Sequence, residues 1–232
     1  MNKPLLVIIA FAAIAVVGFA QSPGDEELLN ALNKGPNREK AINEVIAGSE
    51  KKSPLILLAA SRGALAGNRL EDAAFLFYAA KLRATFEREC FPPKGKGGDN
   101  PFLAYAALVE QIGPLVNPAV MREPKTFSKA VSRLKNWVPR AENAYDPGYE
   151  FQGRKSEKDA LDATKDRREG YVQSLEQLAS LLSDRNYFEA FRVVQSFNAP
   201  DTTDRPSRTQ YDAAVEKMKQ IEKQKMLKGI FN

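Results

Sequence analysis

Residues 53–89 read SPLILLAASRGALAGNRLEDAAFLFYAAKLRATFERE, and this stretch decides the fold class. Ser53 followed by Pro54 is typical of a helix start, because serine caps free N–H groups and proline suits the first helical position. The next residues are apolar nearly all round as far as residue 66, as in a helix that is buried on several sides. Gly67 and Asn68 then form a break. The stretch therefore predicts two consecutive helices, 55–66 and 70–89, that pair with each other.

The rest of the chain continues this pattern of amphipathic segments separated by glycine and proline. Apolar residues recur at helical spacing in the segments 25–34, 38–47, 102–112, 123–137, 156–182, 187–197 and 207–229. The run 113–118 contains Gly113 and two prolines and predicts a break after residue 112, and Gly170 is a candidate division of the longest segment. No segment alternates with period two. The sequence therefore predicts an all-α fold, built as stacked helical hairpins or as an irregular helical bundle.

Small and aromatic residues in the first two of these helices follow the spacing of a known repeat unit. The positions concerned are Leu57, Ala60, Ser61, Asn68, Ala73, Phe77 and Ala80. From Asn68 onward they are separated by five, four and three residues. The unit resembles a tetratricopeptide helical hairpin, and it departs from that family at Ala64, where an aromatic residue is usual. The resemblance implies binding of a protein or peptide on a concave face rather than catalysis.

A second stretch, 175–197, has a similar outline. Ala190 follows Arg185 by five positions, but Val194 and Phe197 depart from the family pattern. Arrays of this family normally need at least three stacked units. The alternative is a compact helical hairpin unrelated to the family, since any close helix crossing requires small residues at the same spacing.

The N-terminal residues have the layout of a secretory signal peptide. A basic start, 1–3, precedes an uncharged apolar run, 4–20, and the run ends in Gly18-Phe19-Ala20 directly before Gln21. The alternative is an uncleaved anchor, because the run reaches the lower edge of the roughly 17–25 residues that span a bilayer. Cleavage leaves 21–232 as a single all-helical domain, with a sub-division near 140–155 as the alternative. We expect an exported bacterial protein, periplasmic or secreted, with no stable membrane insertion after cleavage.

The chain has no histidine and a single cysteine, Cys90. Without imidazole, Ser-His-Asp and Cys-His catalysis are excluded, as are the usual zinc, copper and non-haem iron sites. A lone cysteine forms no internal disulfide, so Cys90 is either a buried filler residue or half of an intermolecular bond. A net charge of +5 is too mild an excess to indicate nucleic acid binding. We therefore expect no cofactor, no metal and no nucleic-acid partner.

Two irregular segments are candidates for a partner surface. The first, 91–101, reads FPPKGKGGDNP and carries Lys94, Lys96 and Asp99 among three glycines. Glycine lets backbone N–H groups approach an anion, but the segment lacks the phosphate-loop pattern G-x-x-x-x-G-K-[ST]. The alternative is a plain connection in which glycines turn the chain and Asp99 or Asn100 caps the next helix.

The second segment, 144–154, places three aromatic residues around Asp146-Pro147-Gly148. Aromatic residues on an irregular segment either fold onto the domain or meet a partner, and exposed tyrosine beside arginine is typical of a binding hot spot. Core anchoring is the alternative for the aromatic residues. The predicted partner-binding residues of the two segments are Lys94, Lys96, Asp99, Tyr145, Tyr149, Phe151 and Arg154.

These patterns favour an exported, non-catalytic interaction protein, scaffold- or adaptor-like, that binds a protein or peptide through a helical groove and the two irregular segments. One variant is an immunity or inhibitor protein that neutralises a toxin in the same compartment. A different class is a hydrolase of cell-wall glycan or peptide that works through carboxylates. A third is a helical protein that binds an apolar or anionic small molecule between its helices.

Overall fold

The computed structural model describes residues 23–34, 36–95, 100–199 and 204–225. The segment predicted as a signal peptide, 1–20, lies outside these residues, so the signal peptide and its cleavage stay predictions. In the described part of the chain, no helix is both long enough and apolar enough to cross a membrane.

The described residues form α-helices joined by turns and irregular segments, which confirms the predicted all-α class. Among them no strand forms, and an isolated β-bridge joins Pro93 to Phe151. The last predicted helix, 207–229, is described only as far as residue 225. The helices are, in chain order, α1 (Pro23–Lys34), α2 (Arg38–Ala47), α3 (Pro54–Ala66), α4 (Leu70–Cys90), α5 (Pro101–Met121), α6 (Pro124–Lys135), α7 (Glu157–Leu182), α8 (Arg185–Asn198) and α9 (Arg208–Gln224).

The two helices predicted from residues 53–89 are α3 and α4, and they pack against each other. Ser53 Oγ accepts a hydrogen bond from a backbone N–H in the first turn of α3 (3.3 Å), and Pro54 is the first helical residue. Asn68, between the helices, has a φ of +57°, in the left-handed region that asparagine tolerates better than most residues. Ser61 Oγ donates to the carbonyl oxygen of Ala73 at 2.7 Å and so links the two helices in the core. Membership of the tetratricopeptide family stays a prediction.

Helix α4 lies at the centre of the molecule. Every residue from position 73 to position 80 is buried, so that about two turns of the helix have no solvent-facing side. Helices α3, α5, α6 and α7 all pack against α4. The main hydrophobic core runs from Leu28 in α1 to Met218 in α9 and includes this buried part of α4. The other helices are therefore positioned by their contacts with α4, directly or through a neighbour.

Helix α5 continues through the predicted break. It runs Pro101–Met121 with Pro114 and Pro118 inside it, so the prediction that it ends after residue 112 is wrong. Each proline removes one backbone hydrogen bond. However, Val116 and Val120 are fully buried one turn apart, while Pro114 lies on the exposed side. Burial of this apolar stripe against the core therefore outweighs the lost backbone hydrogen bonds.

Helix α7 also continues where a division was predicted. It runs Glu157–Leu182 through Gly170, which is exposed and has open space where a Cβ would lie. Ser156 caps its start, because Ser156 Oγ accepts a hydrogen bond from Asp159 N (3.1 Å). A glycine on an exposed helical face lowers the stability of the helix without ending it.

We expect alanine to have different effects at Gly113 in α5 and at Gly170 in α7. Gly170→Ala gains helix propensity with nothing in its way and should raise the free energy of unfolding by roughly 0.5–1 kcal/mol. A Cβ at Gly113 would lie 3.3 Å from Phe77 Cζ in the core, so Gly113→Ala should lose most of that gain. Urea unfolding followed by circular dichroism measures both values. Equal stabilisation by the two variants would contradict the close approach of α5 to α4.

Candidate functional site

The two irregular segments pair with each other beyond the C-terminal end of α4. Lys94 N donates to Glu150 O (3.1 Å) and Gln152 N donates to Pro92 O (2.8 Å), which makes a short antiparallel bridge. We call residues 90–95 and 145–155 the clasp. The described parts of the two predicted partner surfaces are thus one structural unit. The periodicity and composition of the sequence do not predict that they are adjacent.

Phe91 gathers the aromatic side chains of the clasp. It is 1% exposed, and its ring centroid lies 5.6 Å from that of Tyr145 and 5.2 Å from that of Phe151. The Tyr149 hydroxyl donates to the Phe91 carbonyl oxygen (3.0 Å), and the Tyr149 ring lies 5.8 Å from Phe102 at the start of α5. These contacts correspond to the alternative of core anchoring. Partner binding by Tyr145, Tyr149 and Phe151 stays a prediction. It concerns only those parts of the three side chains that do not pack against the rest of the chain.

Of the charged residues predicted for the partner surface, the two that the structure describes, Lys94 and Arg154, have separate contacts. Arg154 donates to three consecutive carbonyl oxygens, those of residues 141–143, at 2.7–3.0 Å, and thereby fixes the chain entering the clasp. Lys94 is exposed and its ammonium lies 3.5 Å from the Glu150 carboxylate. Lys96 and Asp99 lie outside the described residues, so their assignment to partner binding stays a prediction.

A buried charged group lies between α4 and the clasp. The guanidinium of Arg83 in α4 is fully buried, donates to the carbonyl oxygens of Glu50 (3.4 Å) and Arg140, and lies 4.6 Å from the ring centroid of Tyr145. Glu87, one turn further along α4, lies 3.7 Å from Arg83 and accepts a hydrogen bond from the Tyr145 hydroxyl. The group therefore joins α4 to residue 50 and to the segment 140–145, which are far apart in the chain.

The carboxyl of Glu87 has a raised pKa, as an acid catalyst needs, but it is not accessible to a substrate. Burial raises the pKa of its carboxyl to about 7, although Arg83 and the hydrogen bond from Tyr145 act in the opposite direction. Glu87 is only 3% exposed. The cavity beside it measures about 30 Å³, which is room for one or two water molecules. A polymeric substrate does not reach this carboxyl in the described structure.

Cys90, the last residue of α4 and the first of the clasp, is fully buried. Burial raises the pKa of its thiol to about 11. A buried, protonated thiol is unreactive. These observations favour the filler role for Cys90 over an intermolecular disulfide.

A larger cavity opens along α4 where α5 and α7 flank it. Its volume is about 450 Å³, within the range of roughly 300–1,000 Å³ that is usual for ligand pockets. Phe86 of α4, Phe102 and Val109 of α5 and Tyr171 of α7 make its walls mainly apolar. We call this cavity the basic groove, and its principal residues are Lys81, Phe102, Tyr105, Val109, Arg167 and Tyr171.

Positive charges surround the basic groove. Lys81 and Arg88 come from α4, Arg167 and Arg168 come from α7, and Glu110 of α5 is the one carboxylate among the lining residues. Arg88 and Arg167 are exposed at the rim, whereas Lys81 is half-buried. A cleft with apolar walls and an excess of one sign of charge concentrates ions of the opposite sign. The groove therefore favours an anionic ligand.

Two of the polar residues that line the groove, Lys81 and Tyr105, lie near Tyr171. Lys81 Nζ lies 5.1 Å from the Tyr171 ring centroid, and burial lowers the pKa of Lys81 while Glu110 acts in the opposite direction. The Tyr105 hydroxyl is buried and has no hydrogen-bond partner among the described residues. Burial and, to a lesser degree, Tyr171 raise the pKa of Tyr105, so its hydroxyl is a hydrogen-bond donor at neutral pH.

Sequence reasoning missed the basic groove because its residues come from three helices that are distant in the chain. The available signal was Lys81, which with Arg83 follows the apolar run 73–80 in the predicted helix 70–89. Lysine and arginine are rarely buried without a partner, so their presence there indicates pairing or a ligand. Arg83 is paired as described above, and Lys81 lines the groove.

Comparisons with protein-family models, with characterised proteins and with solved structures find no match. In the described part of the chain, no three His, Cys, Asp or Glu side chains are grouped so that they could hold a metal ion. Function is therefore inferred from the chemistry of the surfaces described above.

We expect Glu87 to determine part of the pH dependence of stability. Folding raises its pKa from 4.5 to about 7, so the folded chain holds this proton more tightly than the unfolded chain. The folded state should lose stability, on the order of 2 kcal/mol, as the pH rises through this interval, and Glu87→Gln should lack this loss. Denaturant unfolding at about pH 5 and about pH 8 measures it.

The matched control for this prediction is Glu150→Gln, which removes a clasp carboxylate that is 85% exposed. Its stability should follow the pH dependence of the wild-type chain. Parallel pH profiles for the wild-type chain and Glu87→Gln would show that burial does not shift this carboxyl.

Proposed function

We propose that this chain is an exported, non-catalytic interaction protein whose partner protein docks on the outer face of α5. Leu103 and Leu115 carry the proposal. They are 55% and 41% exposed and are the large hydrophobic residues that stand exposed in the described part of the chain. Both belong to the same helix.

The outer face of α5 comprises Leu103, Ala107, Gln111, Pro114 and Leu115, all of them exposed, and the exposed Glu110 lies where this face meets the basic groove. The other side of the helix packs on α3, α4 and α6. Glu110 is the one charged residue in the 21 residues of α5. A surface helix ordinarily turns several charged residues to solvent, and a largely apolar exposed face marks an interaction surface. The outer face of α5 is therefore a docking surface for a partner.

The charged residues beside this face indicate what kind of partner is complementary to it. Arg88 and Arg167, at the rim of the adjoining basic groove, are exposed and have no ion pair among the described residues. A partner segment with apolar side chains along α5 and acidic side chains toward the rim is complementary to both features. We infer an acidic, amphipathic segment of a protein partner. An immunity or inhibitor protein, in which the partner is a toxin, is one form of this proposal.

A carboxylate hydrolase has less support. Glycoside hydrolysis by side-chain carboxyls ordinarily uses two of them on either side of the scissile bond. Glu110 is the one carboxylate among the residues that line the basic groove, and Glu87 is enclosed beneath the clasp. Neither surface places two accessible carboxyls around a substrate.

We expect partner binding to depend on the outer face of α5. The bait is the chain 21–232, and the double variant Leu103→Asp, Leu115→Asp places charge on the face and should weaken a purified partner's binding at least tenfold. The control, Lys125→Asp with Lys129→Asp, changes two exposed residues of α6. Capture from an extracytoplasmic extract identifies the partner, and surface plasmon resonance measures its Kd. A partner bound equally by all three baits would contradict docking on α5.

We expect the exported form to begin at Gln21. Small residues at 18 and 20 directly precede this position, as a processing enzyme requires. Intact-mass measurement on protein recovered from the extracytoplasmic fraction of expressing bacteria tests the boundary. Recovery of the chain with Met1 intact in the membrane fraction would contradict cleavage and support the anchor.

A further inference from the structure

The interior of the basic groove is chemically distinct from the outer face of α5. Its walls present aromatic and aliphatic surface from Phe102, Val109 and Tyr171, which would accept an apolar chain or ring. On α5, Ala106 lines the groove and its neighbour Ala107 lies on the outer face. The two surfaces are thus adjacent but separate, and each can be altered without the other.

The polar groups of the interior favour a negatively charged ligand. Lys81 brings a half-buried ammonium beside Tyr171, and Tyr105 brings a buried hydroxyl without a partner among the described residues. A buried donor left unsatisfied lowers stability, and a ligand that accepts a hydrogen bond from it removes that cost. Both groups donate, so the complementary ligand group is an acceptor with negative charge.

We propose that the basic groove binds an amphiphilic monocarboxylate, with the carboxylate at Lys81 and Tyr105 and the apolar chain along Phe102 and Val109. A carboxylate has two acceptor oxygens, one for each donor. Glu110 at the groove opposes a second negative charge on the ligand. The rim arginines attract the anion and disfavour a cationic amphiphile. This inference concerns the interior of the groove, whereas the proposed partner docks on the outer face of α5, and the two share only the rim arginines.

Isothermal titration calorimetry with the full chain tests the proposal. The probe is dodecanoate below its critical micelle concentration, and we expect one molecule to bind per chain. Acetate has the same head group without the chain, and dodecyltrimethylammonium has the same chain with a cationic head. We expect neither to bind measurably under the same conditions. Absence of dodecanoate binding, or equal binding of the cationic amphiphile, would overturn the proposal.

Two substitutions test the assignment of the carboxylate. Lys81→Met should weaken dodecanoate binding roughly tenfold or more, whereas Lys129→Met, at an exposed position of α6, should leave it unchanged. Tyr105→Phe should weaken binding several-fold without lowering the thermal midpoint of the free protein, because the hydroxyl has no partner there. Tyr211→Phe in α9 is its control. Retention of full affinity by both Lys81→Met and Tyr105→Phe would place the carboxylate elsewhere and overturn the assignment.

A third pair of variants remains informative if the charge substitutions unfold the chain. Ala106→Trp fills the groove from α5 and should abolish dodecanoate binding, while Ala107→Trp projects from the outer face and should preserve it. Unfolding of each variant is followed by circular dichroism. Ligand binding retained by Ala106→Trp would overturn the groove as the site. Partner binding lost in Ala107→Trp but kept in Ala106→Trp would separate this site from the docking surface.

Discussion

The structure depends on the burial of α4. Its residues 73–80 face protein on every side, and α3, α5, α6 and α7 all pack against it. The clasp then covers its C-terminal end, where Lys155 N donates to the otherwise free carbonyl oxygen of Cys90 (2.9 Å). The final carbonyls of a helix have no partner within it, so a buried helix end needs such a donor. The basic groove and the clasp are both consequences of how the chain surrounds this one helix.

Arg83 shows how a buried charge can fix irregular chain. Removing a guanidinium from water is costly unless carbonyls, a counter-ion and packing replace its hydration. Here Arg83 Nη1 donates to the carbonyl oxygens of Glu50 and Arg140, the Glu87 carboxyl lies 3.7 Å away and the Tyr145 ring packs on the guanidinium. Arg83 Nε and Nη2 have no hydrogen-bond partner among the described residues. Arg140 N also donates to Glu50 O (2.8 Å), so the turn before α3 and the chain after α6 meet at this point. The clasp therefore has a defined position without a sheet or a disulfide to hold it.

Single helices could be predicted from the sequence, whereas the contacts between helices mostly could not. The apolar run 55–66 and the cap at Ser53 were sufficient to predict α3, because both signals are local. The predicted break at Pro114 was wrong. A proline in the sequence indicates only that one backbone hydrogen bond is lost, whereas the burial of Val116 and Val120 depends on helices elsewhere in the chain. The clasp residues were identified as a set but not as neighbours. The basic groove was not predicted because its residues do not lie in one short stretch of sequence.

Hydrogen exchange of the full chain measures most directly whether α4 supports the rest of the molecule. Amides of α4 should exchange only through global unfolding, with an opening free energy equal to that from denaturant, because no part of residues 73–80 can open alone. Amides of α5 near Leu103, which has solvent on its outer side, should exchange through smaller, local openings. Exchange of α4 at or below the opening free energy of α5 would contradict the account.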